Sequence, residues 1–158
     1  MSNPILMAVT RGALIESVHR GAIAVAAPDG RILASLGDVA ALTYPRSAIK
    51  MMQALPLVTS GAADAFGVSE AELALACASH GGEPFHIAAV EGWLSRIGAS
   101  ERDLLCGPHP PSHEPSARTL YAAGGHPRRI HNNCSGKHTG FLTLARHLKV
   151  SDYKPNIA

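Results

Sequence analysis

The distribution of apolar residues divides the chain into a strand-like first part and a helical second part. Four short apolar runs, separated by Gly12, Gly21 and the turn around Asp29-Gly30, predict β-strands. The runs cover residues 5–9, 13–18, 22–27 and 31–36. An Asp-Gly pair between two such runs is typical of a hairpin. The pattern therefore predicts that an antiparallel sheet opens the chain.

From Ser47 onward the apolar residues recur at helical spacing. Ile49, Met52, Leu55 and Val58 are predicted to line one side of a first helix, with Pro56 bending or ending it. A second helix is predicted to begin after Ser69, since Glu72 stands at the capping-box position. Further helices are predicted at about residues 84–97, 116–123 and 141–148. The predicted fold class is α+β, with an antiparallel sheet followed by helices.

Composition narrows the function classes. The chain has 158 residues, of which 46% are hydrophobic and 16% charged, as expected for a folded domain. A net charge of +2 and 4% aromatic residues argue against a nucleic-acid surface, and no apolar run is long enough to cross a membrane. Cys77, Cys106 and Cys134 form no disulfide framework, and the first residues show no signal-peptide pattern. We expect a cytoplasmic protein.

The stretch from Tyr44 to Gln53 carries the first candidate chemistry. Ser47 and Lys50 form an S-x-x-K motif, and residues three apart share one helix face. A serine hydroxyl becomes a nucleophile when a base takes its proton, and a lysine can be that base. The positive end of a helix dipole suits an oxyanion. The motif alone is weak evidence for catalysis.

Two later stretches each allow a structural and a functional interpretation. Ser79 precedes His80 and a glycine pair, so it is either a second hydroxyl of a site or part of a helix C-cap with Gly81 or Gly82 in the left-handed conformation. Further on, Gly136-Lys137 lacks the rest of a phosphate-loop motif, which argues against a nucleotide site. Cys134 lies three residues before Lys137, as a buried structural cysteine, a reactive thiol or a metal ligand.

Four segments taken together resemble one family. They are Tyr44-Pro45-Arg46-Ser47-Ala48-Ile49-Lys50, Ala78-Ser79-His80-Gly81-Gly82-Glu83, Cys106-Gly107-Pro108-His109-Pro110-Pro111 and His131-Asn132-Asn133-Cys134-Ser135-Gly136-Lys137-His138. In order and spacing they resemble the L-asparaginase II family of rhizobial type, also called class 3 L-asparaginases. The resemblance implies a fold related to serine β-lactamases and penicillin-binding proteins. It also implies hydrolysis of L-asparagine to aspartate and ammonia.

The resemblance assigns roles to seven residues of this chain. Ser47 matches the nucleophile, Lys50 the activating lysine, and Ser79 the serine of a second Ser-Lys pair. Cys134 and Lys137 match two zinc ligands. Arg46 and His80 flank the catalytic serines and are expected to orient the substrate. The resemblance further implies a homodimer.

Members of this family are much longer than this chain. The third zinc ligand (a cysteine), the lysine of the second pair and the final strands of the sheet come from the part that this chain lacks. We expect residues 1–150 to form an asparaginase II-like domain and residues 151–158 an atypical tail.

Two hypotheses follow. The chain is either a truncated serine amidohydrolase, or a catalytically inactive fragment that binds zinc or pairs with a partner chain. A β-lactamase-like peptidase fits less well, because the other three segments do not match that family. The sequence does not separate asparagine from glutamine, since one methylene contributes only about 1–3 kcal/mol of discrimination.

Overall fold

The computed structural model describes residues 3–151 of the chain. It divides into two compact units, Met1–Tyr44 and Pro45–Ala158. The first unit contains strands and the second contains helices, which confirms the predicted α+β class and its order along the chain. Six residues of the predicted tail, together with Ala158, lie outside the described residues.

The first unit consists of two hairpins. Strands β1 and β2 pair antiparallel, as do β3 and β4, so the predicted strands form two two-stranded sheets rather than one. Their bounds are Ile5–Arg11 (β1), Leu14–Arg20 (β2), Ile23–Ala26 (β3) and Ile32–Leu36 (β4). Every residue of these four strands is exposed. An isolated two-stranded sheet is marginally stable, so these hairpins need a covering surface.

The second unit contains six α-helices within the described residues. They are α1 (Lys50–Thr59), α2 (Ala62–Ala65), α3 (Glu70–Cys77), α4 (Pro84–Arg96), α5 (Glu114–Ala122) and α6 (Ser135–His147). Short 3₁₀ turns occupy Arg46–Ile49, Glu101–Asp103 and Arg129–His131. Among residues 3–151, no helix combines the length and the apolar character that a membrane crossing requires.

The core of the helical unit forms where α1, α3, α4 and α6 meet. Trp93 on α4 is its largest side chain and is fully buried. Leu57, Leu75 and Leu142 bring α1, α3 and α6 against the same cluster. The capping box predicted at Ser69 and Glu72 is confirmed, because the Ser69 hydroxyl accepts the Glu72 N–H and the Glu72 carboxylate accepts the Ser69 N–H.

The predicted core face of the first helix is wrong. Met52, Leu55 and Val58 are exposed, and the buried positions of α1 are Lys50, Ala54 and Leu57. Pro56 lies inside α1 without ending it. The buried face is therefore built around a lysine, which a purely apolar pattern does not reveal.

Candidate active site

Lys50 is the first residue of α1, and its side chain is buried beside the carboxyl end of α3. Only 2% of its surface is exposed. Its Nζ lies 2.7 Å from Ser79 Oγ, 2.8 Å from the Ala78 carbonyl oxygen and 3.5 Å from the Asn133 carbonyl oxygen. As an ammonium, Nζ carries three N–H donors, and these three oxygens can accept all of them.

Two features of this arrangement matter for chemistry. Ala78 is the C-cap of α3, so its carbonyl belongs to the negative end of a helix dipole, which stabilises a buried cation. Ser79, directly after it, is exposed. The structure thus joins an accessible hydroxyl to a buried amine at hydrogen-bond distance, which is the geometry of a nucleophile and its base.

His80 points into the protein and is only 4% exposed. Its Nδ1 accepts the Gly82 N–H at 3.1 Å, so its Nε2 carries the proton and donates to Ser135 Oγ at 2.8 Å. Ser135 Oγ then donates to the Ile130 carbonyl at 3.0 Å. Burial, aided by the neighbouring His86 and Lys50, lowers the pKa of His80 to about 4. The imidazole is therefore neutral at pH 7.

The segment before α6 holds these groups from the other side. The Asn133 carbonyl accepts the His80 N–H at 3.2 Å in addition to facing Lys50 Nζ. The Asn132 side chain shapes this turn, since its Oδ1 accepts the Cys134 N–H and its Nδ2 donates to the Gly107 carbonyl. Two of the sequence segments that carry the family resemblance are thereby brought together.

Ser47 and Arg46 lie apart from this hydrogen-bond network. Both are exposed, in the 3₁₀ turn that precedes α1. The Ser47 carbonyl accepts the Lys50 N–H, but within residues 3–151 its hydroxyl makes no hydrogen bond. Arg46 has a positive φ of 52°, which is unusual for a residue with a side chain, so the predicted helix does not run through it from Pro45. The structure brings Lys50 together with Ser79 and not with Ser47.

Cys134 and Lys137 stand at the start of α6. Lys137 Nζ lies 5.4 Å from the centre of the Phe141 ring. No group of three His, Cys, Asp or Glu side chains that could hold a metal is found among residues 3–151. Burial raises the pKa of the Cys106 thiol to about 11, and its Sγ faces the Arg129 carbonyl. Zinc needs about four ligands, so Cys134 and Lys137 alone do not make a zinc site.

The glycine pair after His80 has a different role from the predicted helix cap. The C-cap of α3 is Ala78, which is extended, whereas Gly82 adopts the left-handed conformation with φ of 74°. A Cβ at Gly82 would stand 3.0 Å from Pro111 and 3.2 Å from the His131 carbonyl. The turn lets the Gly82 N–H reach the His80 ring. Sequence reasoning missed two members of this site, the Asn133 carbonyl and the Ser135 hydroxyl, because neither belongs to a recognisable catalytic pattern.

Comparison with known proteins identifies the family. The sequence profile of the L-asparaginase II family matches residues 7–155. The chain belongs to the L-asparaginase II family. No curated protein matches it significantly. Family membership supports an asparaginase-type amidohydrolase and asparagine as the substrate.

Proposed function

We propose that this chain hydrolyses the side-chain amide of L-asparagine through an acyl-enzyme in which Lys50 is the base. The observation that carries the proposal is the 2.7 Å hydrogen bond between buried Lys50 Nζ and exposed Ser79 Oγ. Membership of the L-asparaginase II family supports the substrate. The geometry favours Ser79 as the nucleophile.

In the proposed reaction, neutral Lys50 takes the hydroxyl proton as Ser79 Oγ attacks the amide carbon. The tetrahedral intermediate collapses when its C–N bond breaks, and the leaving nitrogen takes the proton from Lys50 and departs as ammonia. Water then gives Lys50 a proton and attacks the ester, so that aspartate leaves and the serine is restored. The N–H groups of His80 and Gly82 already donate within the protein, so neither stabilises the oxyanion.

Ser47 as the nucleophile is the competing assignment, and it rests on the family resemblance. It requires the turn Arg46–Ile49 to change conformation so that Ser47 Oγ reaches Lys50. Ser79 would then pass a proton between Lys50 and the leaving nitrogen. Arg46 is exposed in either case, and its guanidinium suits the α-carboxylate of asparagine.

The test is ammonia release from L-asparagine by the purified chain and by Lys50→Met. Methionine keeps the length and removes the amine, so we expect a loss of at least about 100-fold in kcat, the usual size for a general base. Lys149→Met, at an exposed lysine, is the matched control and is expected to keep full activity. Ammonia release by Lys50→Met at the rate of the control would rule out Lys50 as the base.

A second function, partner pairing without catalysis, is favoured by one observation. Strands β1 to β4 expose apolar side chains such as Met7, Leu14, Ile15 and Leu33. A patch of this kind marks an interaction surface. Light scattering separates the cases. An active dimer supports the homodimeric amidohydrolase implied by the resemblance, whereas a dimer or mixed complex that releases no ammonia supports the pairing fragment.

A zinc ion at Cys134 and Lys137 is a further proposal from the resemblance. It needs ligands in addition to these two, and the reaction proposed above contains no step that uses it.

A further inference from the structure

We infer that His80 and Ser135 form a buried positioning pair that holds Ser79 against Lys50, and that His80 does not contact substrate. The inference rests on the proposed role of Ser79 as the partner of Lys50. It departs from the expectation that His80 orients the substrate.

The first argument is that both ring nitrogens of His80 are already used. Nδ1 accepts from Gly82 and Nε2 donates to Ser135, so neither nitrogen is left for an amide or a carboxylate. The ring is also 4% exposed, whereas Ser79 beside it is exposed. Adjacent residues therefore point in opposite directions, one toward solvent and one toward α6.

The second argument is that the anchor for the ring is rigid. Ser135 is completely buried, its Oγ donates to the Ile130 carbonyl, and its N–H donates to the Asn132 carbonyl. Thr139 Oγ1 donates to the Ser135 carbonyl one turn later on α6. A side chain fixed by several hydrogen bonds is a suitable second layer for a catalytic group.

The third argument is that Ser79 is held on both sides. Before it, the Ala78 carbonyl accepts from Lys50 Nζ, and after it, the His80 N–H donates to the Asn133 carbonyl. The imidazole completes this arrangement by connecting the same segment to Ser135. Removing the Ser135 hydroxyl leaves a buried imidazole N–H without an acceptor, so His80 must move and Ser79 moves with it.

Ser135→Ala tests the inference, and Ser116→Ala is its matched control. Ser116 Oγ lies 2.9 Å from His113 Nδ1, which gives a second His-Ser pair outside the Lys50 network. For Ser135→Ala we expect kcat for asparagine to fall by about tenfold or more with KM within about twofold, since a small misplacement of a reacting group has this effect. Ser116→Ala is expected to change neither.

A readout without asparagine separates the inference from the proposed function. A fluorophosphonate probe labels an activated serine, and peptide mass spectrometry gives its position and rate. Ser79 is expected to be labelled about tenfold more slowly in Ser135→Ala than in the unchanged chain and Ser116→Ala. Labelling of Ser79 without ammonia release would reject the asparagine reaction and leave the positioning pair standing.

Three results would overturn the positioning pair. They are equal Ser79 labelling in Ser135→Ala and Ser116→Ala, a rise in KM with unchanged kcat, and no labelling of Ser79 in the unchanged chain. If Ser135→Ala does not fold by circular dichroism, His80→Gln and His80→Phe take its place. Glutamine offers an N–H near the position of Nε2, so His80→Gln is expected to keep several-fold more kcat than His80→Phe, and equal values would reject the pair.

Discussion

Gly136 on α6 lies directly against the main chain of Leu75 on α3. A Cβ at Gly136 would stand 2.7 Å from the Leu75 carbonyl oxygen and 2.9 Å from its carbonyl carbon. Helices α3 and α6 therefore approach more closely here than a side chain allows. The contact sets the carboxyl end of α3, where Ala78 and Ser79 meet Lys50, relative to the start of α6.

Gly136→Ala is expected to destabilise the protein by about 1–3 kcal/mol, because a backbone must shift to admit the methyl group. Gly92 in the middle of α4 is the control, since a Cβ there meets no atom within 4 Å. Gly92→Ala is expected to stabilise by about 0.5–1 kcal/mol through helix propensity. Urea unfolding measures both values, and equal stabilities would contradict the close approach of the two helices.

The two serines can be separated by substitution. Ser79→Ala is expected to reduce kcat for asparagine by at least about 100-fold, since it removes the hydroxyl that Lys50 contacts. Ser47→Ala is expected to have a smaller effect. The reverse order, with a fluorophosphonate adduct on Ser47, would establish Ser47 as the nucleophile and Ser79 as a proton carrier.

Glu72 is expected to be a major source of stability at the start of α3. Burial alone would raise the pKa of its carboxyl group, but hydrogen bonds from Arg96 and Ser69 outweigh this and lower it. Glu72→Ala removes the capping box and the 2.6 Å ion pair with Arg96, for an expected loss of about 1–3 kcal/mol. Glu114→Ala, which breaks an exposed ion pair with Arg118, is expected to cost about 0.5 kcal/mol or less. Similar losses of stability would contradict this assignment.

Stability is expected to fall in mild acid because of His80. Its pKa is lowered from 6.5 to about 4, so between these pH values the unfolded chain binds a proton that the folded chain does not. The contribution is complete above pH 6.5 and is lost as the pH falls toward 4. Urea unfolding of the unchanged chain and His80→Gln across this range isolates the effect. A difference between the two that does not vary with pH would contradict it.

Zinc binding is expected to depend on Cys134. If the resemblance holds for the metal, elemental analysis of the purified chain should show zinc that Cys134→Ser loses and Cys77→Ser keeps. Cys77 lies on α3 and is the matched cysteine control. Equal zinc content in all three proteins would reject Cys134 as a ligand.

Local sequence signals were sufficient for much of the fold. The four strands lie within about two residues of their predicted limits, because glycine and Asp-Gly turns separate them clearly. The helix beginning after Ser69 was predictable from its capping box. The start of α6 at Ser135 was missed by six residues, since Ser135, Lys137 and Thr139 interrupt the apolar pattern that the prediction used.

The site was less predictable, because tertiary packing determines it. The i, i+3 spacing of Ser47 and Lys50 predicts contact only within a regular helix, and the positive φ of Arg46 and the 3₁₀ turn prevent one there. Lys50 instead reaches Ser79, 29 residues later in the chain. A single sequence gives no signal for such a contact.

Two of the three oxygens around Lys50 Nζ belong to the main chain, at Ala78 and Asn133. Substitution at either position leaves the carbonyl in place, so the polar surroundings of the amine tolerate sequence drift there. Attempts to retune this lysine by changing its neighbours one at a time should therefore have little effect at positions 78 and 133. Changes that displace the backbone, such as a proline, an insertion or an altered loop length, are the more effective means of engineering it.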